Sequence, residues 1–288
     1  MNLSLVQTFC GNDPEENRDR TESLIREAAG EGGQVILLQE LFHTRYFCQT
    51  LDPEAFVLAQ SIPGPLTEHL SKVASSLGVV IVAPIFERAA PGIYFNSLVV
   101  LERDGRLLGR YRKMHIPDDP GFHEKYYFTP GDLGYKVFNT SFGRIGTLIC
   151  WDQWFPEAAR ITALHGADLL VYPTAIGTIE GEMEAKRKKY QNGWQLMHRS
   201  HALANGIYVA AVNRTGQEEG TRFWGGSFVC DPFGEVIAES GDEEEVLHVS
   251  IDLSEMDRVR TTWPFFRDRR IDSYRTILRR WDSSEDLQ

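Results

Sequence analysis

Several short segments of this sequence are apolar at almost every position instead of alternating between apolar and polar residues. Residues 35–39 and 79–86 are the clearest examples. A strand of this kind is buried on both faces, as in a sheet that is covered by helices. Helical patterns over residues 17–29, 66–77 and 182–205 occur along the same chain. The sequence therefore predicts a layered α/β fold in which strands and helices alternate.

Composition and charge disfavour several classes of protein. The chain has 288 residues, of which 42% are hydrophobic and 25% charged, as is usual for a globular protein. No apolar run reaches about 18 residues, so we expect no membrane span. The N-terminus lacks the basic and apolar regions of a secretion signal, so we expect a cytoplasmic protein. A net charge of −11 disfavours nucleic acid as a partner.

The cysteines, histidines and glycines predict no metal or cofactor site. The four cysteines lie far apart without a CxxC spacing, which is typical of a reducing compartment. The sequence contains neither an HExxH pattern nor a Gly-rich phosphate loop. Linkers and repeats that would divide the chain are also missing from it. We therefore predict a single domain over residues 1–274, followed by a C-terminal tail over residues 275–288.

Cys150 is the strongest candidate for a chemical role. It ends an apolar run, residues 145–149, and is followed by a turn and a helical pattern that starts near Phe155. This order predicts a strand, a tight corner and a helix, with the cysteine exposed at the strand tip and the next backbone N–H groups facing a developing oxyanion. The positive end of the helix dipole is expected to lower the pKa of the thiol. The alternative is that Cys150 is a small buried hydrophobic residue.

Three further side chains could complete a catalytic site around this thiol. Glu40 follows a buried strand, Lys113 precedes a proline-ended turn, and Glu124 lies in an aromatic loop. A thiol needs a base, a tetrahedral intermediate needs a cation or hydrogen-bond donors, and a leaving amine needs an acid. Each residue also has an ordinary interpretation, namely a polar strand end, a solvated lysine and a loop partner for Lys125.

The order and context of these residues resemble the nitrilase superfamily of carbon–nitrogen hydrolases. The resemblance extends from the first predicted strand to about Tyr274, and the run that follows Cys150 is specific to a smaller group within the superfamily. The segments that carry it are 38–42 (LQELF), 111–120 (YRKMHIPDDP), 127–132 (YFTPGD), 149–160 (ICWDQWFPEAAR) and 172–177 (YPTAIG).

This resemblance implies a four-layer α-β-β-α sandwich with two mixed six-stranded sheets. It also implies that Glu40 is the general base, that Lys113 stabilises the intermediate and that Cys150 is the nucleophile. Glu124 is then the additional active-site carboxylate, and the backbone N–H of Trp151 completes the oxyanion site beside Lys113. By the same resemblance the reaction requires no metal or organic cofactor, and the protein is a homo-oligomer.

Two other classes of protein remain open. A papain-type Cys–His pair has histidines available, but none of them lies in a recognisable partner motif. A non-catalytic scaffold has no need for a thiol, a lysine and two carboxylates in this combination. Both alternatives are therefore weaker than a cysteine hydrolase.

The residues that follow the nucleophile bear on the substrate. Members of the superfamily that act on carboxylate-bearing substrates are similar in placing an arginine three or four residues after the cysteine, where it can clamp a carboxylate. This chain has Gln153 and Trp154 at those positions, so we expect no such clamp. Aromatic residues could line a pocket for an alkyl chain and attract an ammonium, or could pack in the core or between subunits. These residues are Phe42, Tyr46, Trp151 and Trp154.

An acidic segment favours a cationic substrate. Glu180 and Glu182 follow the strand that is expected beside the strand of the nucleophile, and either could bind a distal ammonium. Acidic residues are also common in a first helical turn, and Glu182 is spaced to pair with Lys186. Asp152 could bind the ammonium or fix the corner. We predict a small cationic N-carbamoyl amine as the substrate, with a neutral aliphatic amide or nitrile as the alternative.

The C-terminal region combines aromatic and basic residues. Residues 262–266 are TWPFF, residues 267–270 are RDRR, and residues 279–281 are RRW. Such a segment suits packing on a neighbouring subunit, and the alternative is that it packs on its own domain.

Overall fold

Two six-stranded sheets form the centre of the computed structural model, which describes residues 1–281. The strands are β1 (Asn2–Gln7), β2 (Val35–Leu38), β3 (Val80–Ala90), β4 (Ile93–Leu101), β5 (Leu107–Arg112), β6 (Lys136–Thr140), β7 (Gly143–Thr147), β8 (Leu169–Thr174), β9 (Gly177–Ile179), β10 (Tyr208–Asn213), β11 (Thr215–Glu218), β12 (Thr221–Trp224), β13 (Phe228–Cys230), β14 (Val236–Glu239) and β15 (Glu245–Ser250). The helices are α1 (Pro14–Gly30), α2 (Pro65–Leu77), α3 (Glu124–Tyr127), α4 (Pro156–Leu164), α5 (Glu184–Asn205) and α6 (Ser254–Thr262), and 3₁₀ turns occupy Phe47–Gln49, Pro53–Leu58, Cys150–Trp154, Ile271–Ser273 and Arg275–Leu278.

Both large sheets are mixed. The first has the order β15-β1-β2-β3-β4-β5, in which β1, β2 and β3 run parallel and the other pairs are antiparallel. The second has the order β14-β13-β10-β8-β7-β6, with β7, β8 and β10 parallel. A small third sheet has the order β11-β12-β9. The predicted α/β sandwich with two mixed six-stranded sheets is therefore confirmed.

The layers explain why the strands lack alternation. On β2, Leu37 belongs to a cluster that also contains residues of the second sheet, whereas Ile36 and Leu38 pack with Ile25 of α1 and Leu70 of α2. Both faces of the strand are covered, so every position excludes water and favours an aliphatic side chain. The second sheet is covered in the same way by α4 and α5.

The sequence patterns located the long elements but missed short or polar ones. The main predicted helices and strands are present with shifts of a few residues at their ends. The missed elements have few apolar positions or are only one turn long, so they leave no periodic signal. They are β6, β9, β11, β12, α3 and α6.

The C-terminal segment packs partly on the same chain. Phe266 lies beneath the guanidinium groups of Arg160 and Arg260, and the ring of Trp263 contacts that of Phe233. Ile277, Leu278 and Trp281 are exposed. Residues 282–288, the end of the predicted tail, lie outside the described residues. Within residues 1–281 no helix is long and apolar enough to cross a membrane.

Candidate active site

Lys113 lies between two buried carboxylates. Its Nζ atom donates hydrogen bonds to Oε1 of Glu40 at 2.9 Å and to Oε2 of Glu124 at 2.6 Å. The Lys113 and Glu40 side chains are 0% exposed and that of Glu124 is 1% exposed. Burial alone would lower the pKa of Lys113, but Glu124 and Glu40 together raise it well above its usual value. The lysine is therefore a fixed positive charge in a water-poor site.

Glu40 is fixed on one oxygen and free on the other. It follows β2, and the backbone turns sharply after it because Leu41 adopts a φ of 51°. Its Oε1 atom accepts from Lys113 and also from Nδ2 of Asn96 at 2.7 Å. Its Oε2 atom is buried without a hydrogen-bond partner among residues 1–281. One oxygen thus orients the carboxylate while the other remains available to take a proton.

Glu124 begins the short helix α3. Its Oε1 atom accepts from the hydroxyl of Tyr46 at 2.8 Å, and its Oε2 atom accepts from Lys113. Burial raises the pKa of Glu124 to about 7, with Lys113 opposing this rise and Glu40 adding to it. Glu124 therefore titrates close to neutral pH while it remains hydrogen-bonded to Lys113.

Cys150 occupies a strained corner at the end of the β7 segment. Its φ is 41°, and it begins the 3₁₀ turn Cys150–Trp154. Positive φ in a residue with a side chain is uncommon, and such strain clusters at functional sites. The side chain lines the large cavity described below. The predicted strand, corner and helix are all present, and α4 begins at Pro156 with Phe155 as its N-cap, close to the predicted start.

Two expectations about this thiol were wrong. Cys150 is only 6% exposed, so it is not displayed at an open strand tip. Burial raises the pKa of its thiol well above the usual value, and the Glu40 charge adds to the rise. Lys113 and a backbone hydrogen bond at Ala175 oppose the rise without cancelling it. The 3₁₀ turn separates the thiol from the start of α4, so the dipole of that helix does not set its pKa.

Asp152 fixes the corner. Its Oδ2 atom accepts from the Tyr111 hydroxyl at 2.7 Å and from the Ile149 backbone N–H at 3.0 Å. Its Oδ1 atom accepts from the backbone N–H of His115 at 3.0 Å and lies 2.7 Å from His115 Nδ1. The side chain is fully buried and does not line the cavity. Of the two roles considered for Asp152, the geometry favours the positioning role, because its carboxylate joins the backbone just before Cys150 to His115 in the turn after Lys113.

A cavity of about 670 Å³ opens in front of Cys150 and Glu124. Most of its wall is apolar, and Trp151 and Trp154 both contribute to it. Phe42 and Tyr46 do not line it; both are buried, and the Tyr46 hydroxyl holds Glu124 instead. The lining residues are Pro117, Asp119, Pro120, Phe122, Glu124, Cys150, Trp151, Gln153, Trp154, Ala175, Ile176, Gly177, Ile179, Glu182, Lys186, Lys189, Tyr190, Gly193 and Trp224.

Charged side chains of both signs surround the mouth of this cavity. Asp119 and Glu182 are the acidic members, and Lys186 and Lys189 are the basic ones. Glu182, which precedes α5, pairs with Lys186 four residues later, as its spacing indicated. Glu180 is exposed and lies outside the lining. The structure thus brings one of the two predicted acidic residues to the cavity and adds Asp119, which the sequence analysis did not single out.

Gln153 presents a buried donor in the same wall. Its Oε1 atom accepts from Nε1 of Trp194 at 2.8 Å, and an indole N–H can only donate, so the amide orientation is fixed. The Nε2 atom is buried and has no partner in the described part of the chain. Among residues 1–281, no group of three or more His, Cys, Asp or Glu residues could hold a metal ion.

Sequence reasoning missed Asn96 and Arg214 as supports of Glu40. Asn96 lies on β4 beside Ser97, and this buried polar pair within an otherwise apolar strand was the available signal. Arg214 follows β10 directly and is fully buried, and its two nitrogens at the tip contact the backbone after β2. Its role depends on strands far apart in the sequence, so spacing alone could not indicate it.

The family model described as carbon-nitrogen hydrolase matches residues 3–261. The chain belongs to the carbon–nitrogen hydrolase family. This hydrolase is 43% identical to an N-carbamoylputrescine amidase of Solanum lycopersicum, over 96% of this chain and 94% of the relative. It is 39% identical to a citrullinase of Francisella tularensis, over 97% of this chain and 98% of the relative. A solved carbon-nitrogen hydrolase of Helicobacter pylori matches it with a TM-score of 0.95 and 43% identity, covering 98% of this chain and 99% of that one.

Proposed function

We propose that this hydrolase is a cysteine-dependent amidohydrolase that converts N-carbamoylputrescine to putrescine, carbon dioxide and ammonia. The observation that carries the proposal is the position of Cys150 and Glu124 in one cavity wall, with Glu124 joined through Lys113 to Glu40. The substrate assignment draws on the tomato N-carbamoylputrescine amidase, which is similar over nearly its whole length.

The first half-reaction is attack by the thiol. Because burial keeps Cys150 protonated, its proton must leave as the sulfur attacks the carbamoyl carbon, and the free Oε2 atom of Glu40 is the acceptor that we assign. Lys113 and the Trp151 N–H stabilise the oxyanion, an effect worth about 3–4 kcal/mol for a donor in such a site. Glu40 then returns the proton to the departing nitrogen, so ammonia leaves and an N-alkylcarbamoyl thioester remains on Cys150.

The second half-reaction is hydrolysis of this thioester. Glu40 takes a proton from water, and the resulting hydroxide attacks the thioester carbon. The C–S bond then breaks, and Glu40 returns the proton to the sulfur, which regenerates the thiol. The released N-alkylcarbamic acid breaks down to putrescine and carbon dioxide. Glu124 holds Lys113 in place throughout, and Tyr46 and Asp152 act as positioning residues for Glu124 and for the corner of Cys150.

The far end of the substrate carries an ammonium group. Trp151, Trp154 and Ile176 offer an apolar wall for the four-carbon chain. Asp119 and Glu182 at the mouth then face the ammonium, because an opposite charge at the end of an apolar channel selects a cation. We assign this role to Glu182 and Asp119 rather than to Glu180, which lies outside the lining.

A zwitterionic ureido acid such as citrulline is the second candidate substrate. Lys189 lines the mouth and offers a positive charge. The Nε2 atom of Gln153 is a buried donor without a partner among the described residues, and the only acceptor that N-carbamoylputrescine offers is its carbamoyl oxygen. A carboxylate on the substrate could supply a second acceptor. The similar citrullinase of Francisella tularensis supports keeping this candidate.

The test is ammonia release from N-carbamoylputrescine, citrulline, N-carbamoyl-β-alanine and butyramide, with Cys150→Ala as the control. We expect turnover of N-carbamoylputrescine that depends on Cys150 and exceeds turnover of the other three substrates. Faster hydrolysis of citrulline would replace the first candidate by the second. Hydrolysis of butyramide alone would indicate a neutral amide, and absence of any Cys150-dependent turnover would contradict the mechanism.

We also propose a homo-oligomer in the cytoplasm. Several apolar side chains are exposed on α4, α5, the turn before β14 and the C-terminal segment, which suits a subunit contact. They are Ile161, Leu164, Leu196, Leu203, Phe233 and Trp263. All four cysteines are free thiols, which fits a reducing compartment. Light scattering after size-exclusion chromatography should give a mass of at least twice that of the 32.7 kDa chain, and the mass of a single chain would contradict the proposal.

A further inference from the structure

Arg214 binds the backbone on which the base is mounted. Its side chain is fully buried, and its Nη2 atom donates to the carbonyl oxygens of Glu40 at 2.9 Å and Leu41 at 2.8 Å. Its Nη1 atom donates to the carbonyl of Thr44 at 3.0 Å. Three carbonyls of one turn thus converge on one guanidinium. A turn in which Leu41 has a positive φ needs such external support.

Glu218 completes the arrangement as the ion-pair partner of the guanidinium. Its Oε1 atom accepts from Arg214 Nη1 at 2.6 Å, and its Oε2 atom accepts from the backbone N–H of Tyr46 at 2.7 Å. The hydroxyl of Tyr46 in turn donates to Glu124 at 2.8 Å. The ion pair therefore reaches Glu40 through its own carbonyl and Glu124 through Tyr46.

We propose that Arg214, together with Glu218, is a positioning residue for catalysis. It holds the carboxylates of Glu40 and Glu124 at hydrogen-bonding distance from Lys113. The inference rests on the proposed function only in taking Glu40 as the base for Cys150. A planar guanidinium with several fixed donors can hold three carbonyls and one carboxylate at once, whereas an ammonium group of the same charge cannot reproduce that geometry.

Arg214→Lys is the direct test, because it keeps the positive charge beside Glu218 and removes the planar group that donates to several acceptors at once. We expect kcat for N-carbamoylputrescine to fall about 100-fold, since a displacement of about 1 Å at the reacting groups costs this much. KM should change less than threefold, because the residues assigned to the substrate lie elsewhere in the cavity. Arg144→Lys, which alters the Arg144–Asp168 pair at the start of β7, is the matched control and should leave kcat unchanged within twofold.

Alkylation of Cys150 by acrylamide provides a second readout that does not depend on the natural substrate. The rate, followed by intact mass, should fall in Arg214→Lys in proportion to kcat and stay unchanged in Arg144→Lys. If the parent protein is alkylated at Cys150 but does not hydrolyse N-carbamoylputrescine, the proposed substrate is wrong. The alkylation rates of the two variants then still test the positioning role of Arg214.

The folded fraction of each variant is measured by near-UV circular dichroism and thermal unfolding. Loss of activity that only follows loss of folded protein would reduce Arg214 to a structural residue and overturn the proposal. If Arg214→Lys does not fold, the volume-matched double variant Arg214→Met/Glu218→Leu removes both charges together, which buried ion pairs often tolerate. A folded double variant with parental kcat and alkylation rate would also overturn it.

Discussion

The buried centre of the site and the mouth of its cavity are built on opposite principles. At the centre, Lys113 and Glu124 each make fixed hydrogen bonds and are almost fully shielded from water. At the mouth, Asp119 and Lys189 are exposed, and the Glu182 carboxylate forms an ion pair with Lys186. Charges interact strongly where water is excluded and weakly where it is not. The centre is therefore suited to the bond-breaking chemistry, and the mouth to a graded choice among substrates.

Replacing a lysine in each region gives the largest expected contrast. Lys113→Met should lower kcat by about 10³-fold, because it removes a donor from the oxyanion site. It should also destabilise the fold by about 3–5 kcal/mol, since two buried carboxylates lose their partner. Lys189→Met makes the same chemical change at the mouth and should alter kcat for N-carbamoylputrescine less than about threefold. Steady-state kinetics and urea unfolding of both variants measure the contrast, and equal losses would abolish the distinction between the regions.

Neutralising the acidic residues at the mouth should affect binding but not chemistry. Glu182→Gln and Asp119→Asn should each raise KM for N-carbamoylputrescine about 10-fold, the usual worth of one charge-assisted hydrogen bond, and leave kcat unchanged. Turnover of neutral butyramide should not respond.

Two neighbours that lie outside the cavity lining serve as matched controls for these variants. Glu180→Gln and Asp118→Asn change the same charge close by and should leave KM for the cationic substrate unaltered. If KM rises equally in the control variants, the general negative field of the protein, and not a defined ammonium site, explains the preference.

Titration of Glu124 should move activity and stability in opposite directions. Its pKa is raised from the ordinary 4.5 to about 7, so the folded protein holds this proton more tightly than the unfolded chain does. The contribution of protonated Glu124 to the free energy of unfolding is therefore fully present below about pH 4.5 and is lost as the pH rises through 7. The ionised form, by contrast, is the one whose oxygens accept from both Lys113 and Tyr46, so kcat/KM should rise through the same range.

Glu124→Gln tests this assignment. The variant should lose the inflection near pH 7 both in kcat/KM and in the unfolding midpoint, apart from any overall loss of rate. Persistence of the same inflection in Glu124→Gln would show that another group titrates there.

The residues of the centre were also easier to single out from the sequence than those of the mouth. Glu40, Lys113, Cys150 and Glu124 were proposed because each stands beside a strand end or in a motif that resembles the family. Their supports were not found, since Asn96 and Arg214 reach Glu40 from β4 and from the end of β10, and only the folded topology brings those strands together. The thiol environment was misjudged for a related reason, because burial depends on all the layers around a residue and not on its local pattern.

At the mouth, sequence spacing gave candidates but no geometry. Glu180 and Glu182 are equivalent in the sequence, yet only Glu182 lines the cavity. Asp119 was overlooked because the turn that carries it lies far from the acidic segment in the chain. A layered α/β fold, by contrast, followed from strands that are apolar on both faces, since helices must cover such sheets. The four-layer sandwich with two mixed sheets followed from the resemblance to the family and not from the pattern.

Gly193 offers the finest test of how the mouth is separated from the centre. It lies within α5 and lines the cavity, and a Cβ atom added there would meet no atom within 4 Å. Packing therefore does not require glycine, although glycine in a helix costs about 1 kcal/mol relative to alanine. Gly193→Ala should raise the free energy of unfolding by about this amount and leave kcat for N-carbamoylputrescine unchanged.

The larger variant Gly193→Leu should narrow the cavity at its α5 wall. KM should then rise more for N-carbamoylcadaverine, which is one methylene longer, than for N-carbamoylputrescine. The difference should be at least about 10-fold, because one methylene group in an apolar pocket is worth roughly 10- to 200-fold. Alkylation of Cys150 by acrylamide should be unaffected, because the buried carboxylates and Lys113 do not contact this helix position. A parallel loss of alkylation would mean that the helix wall and the catalytic centre are mechanically coupled, and that the two regions are not independent.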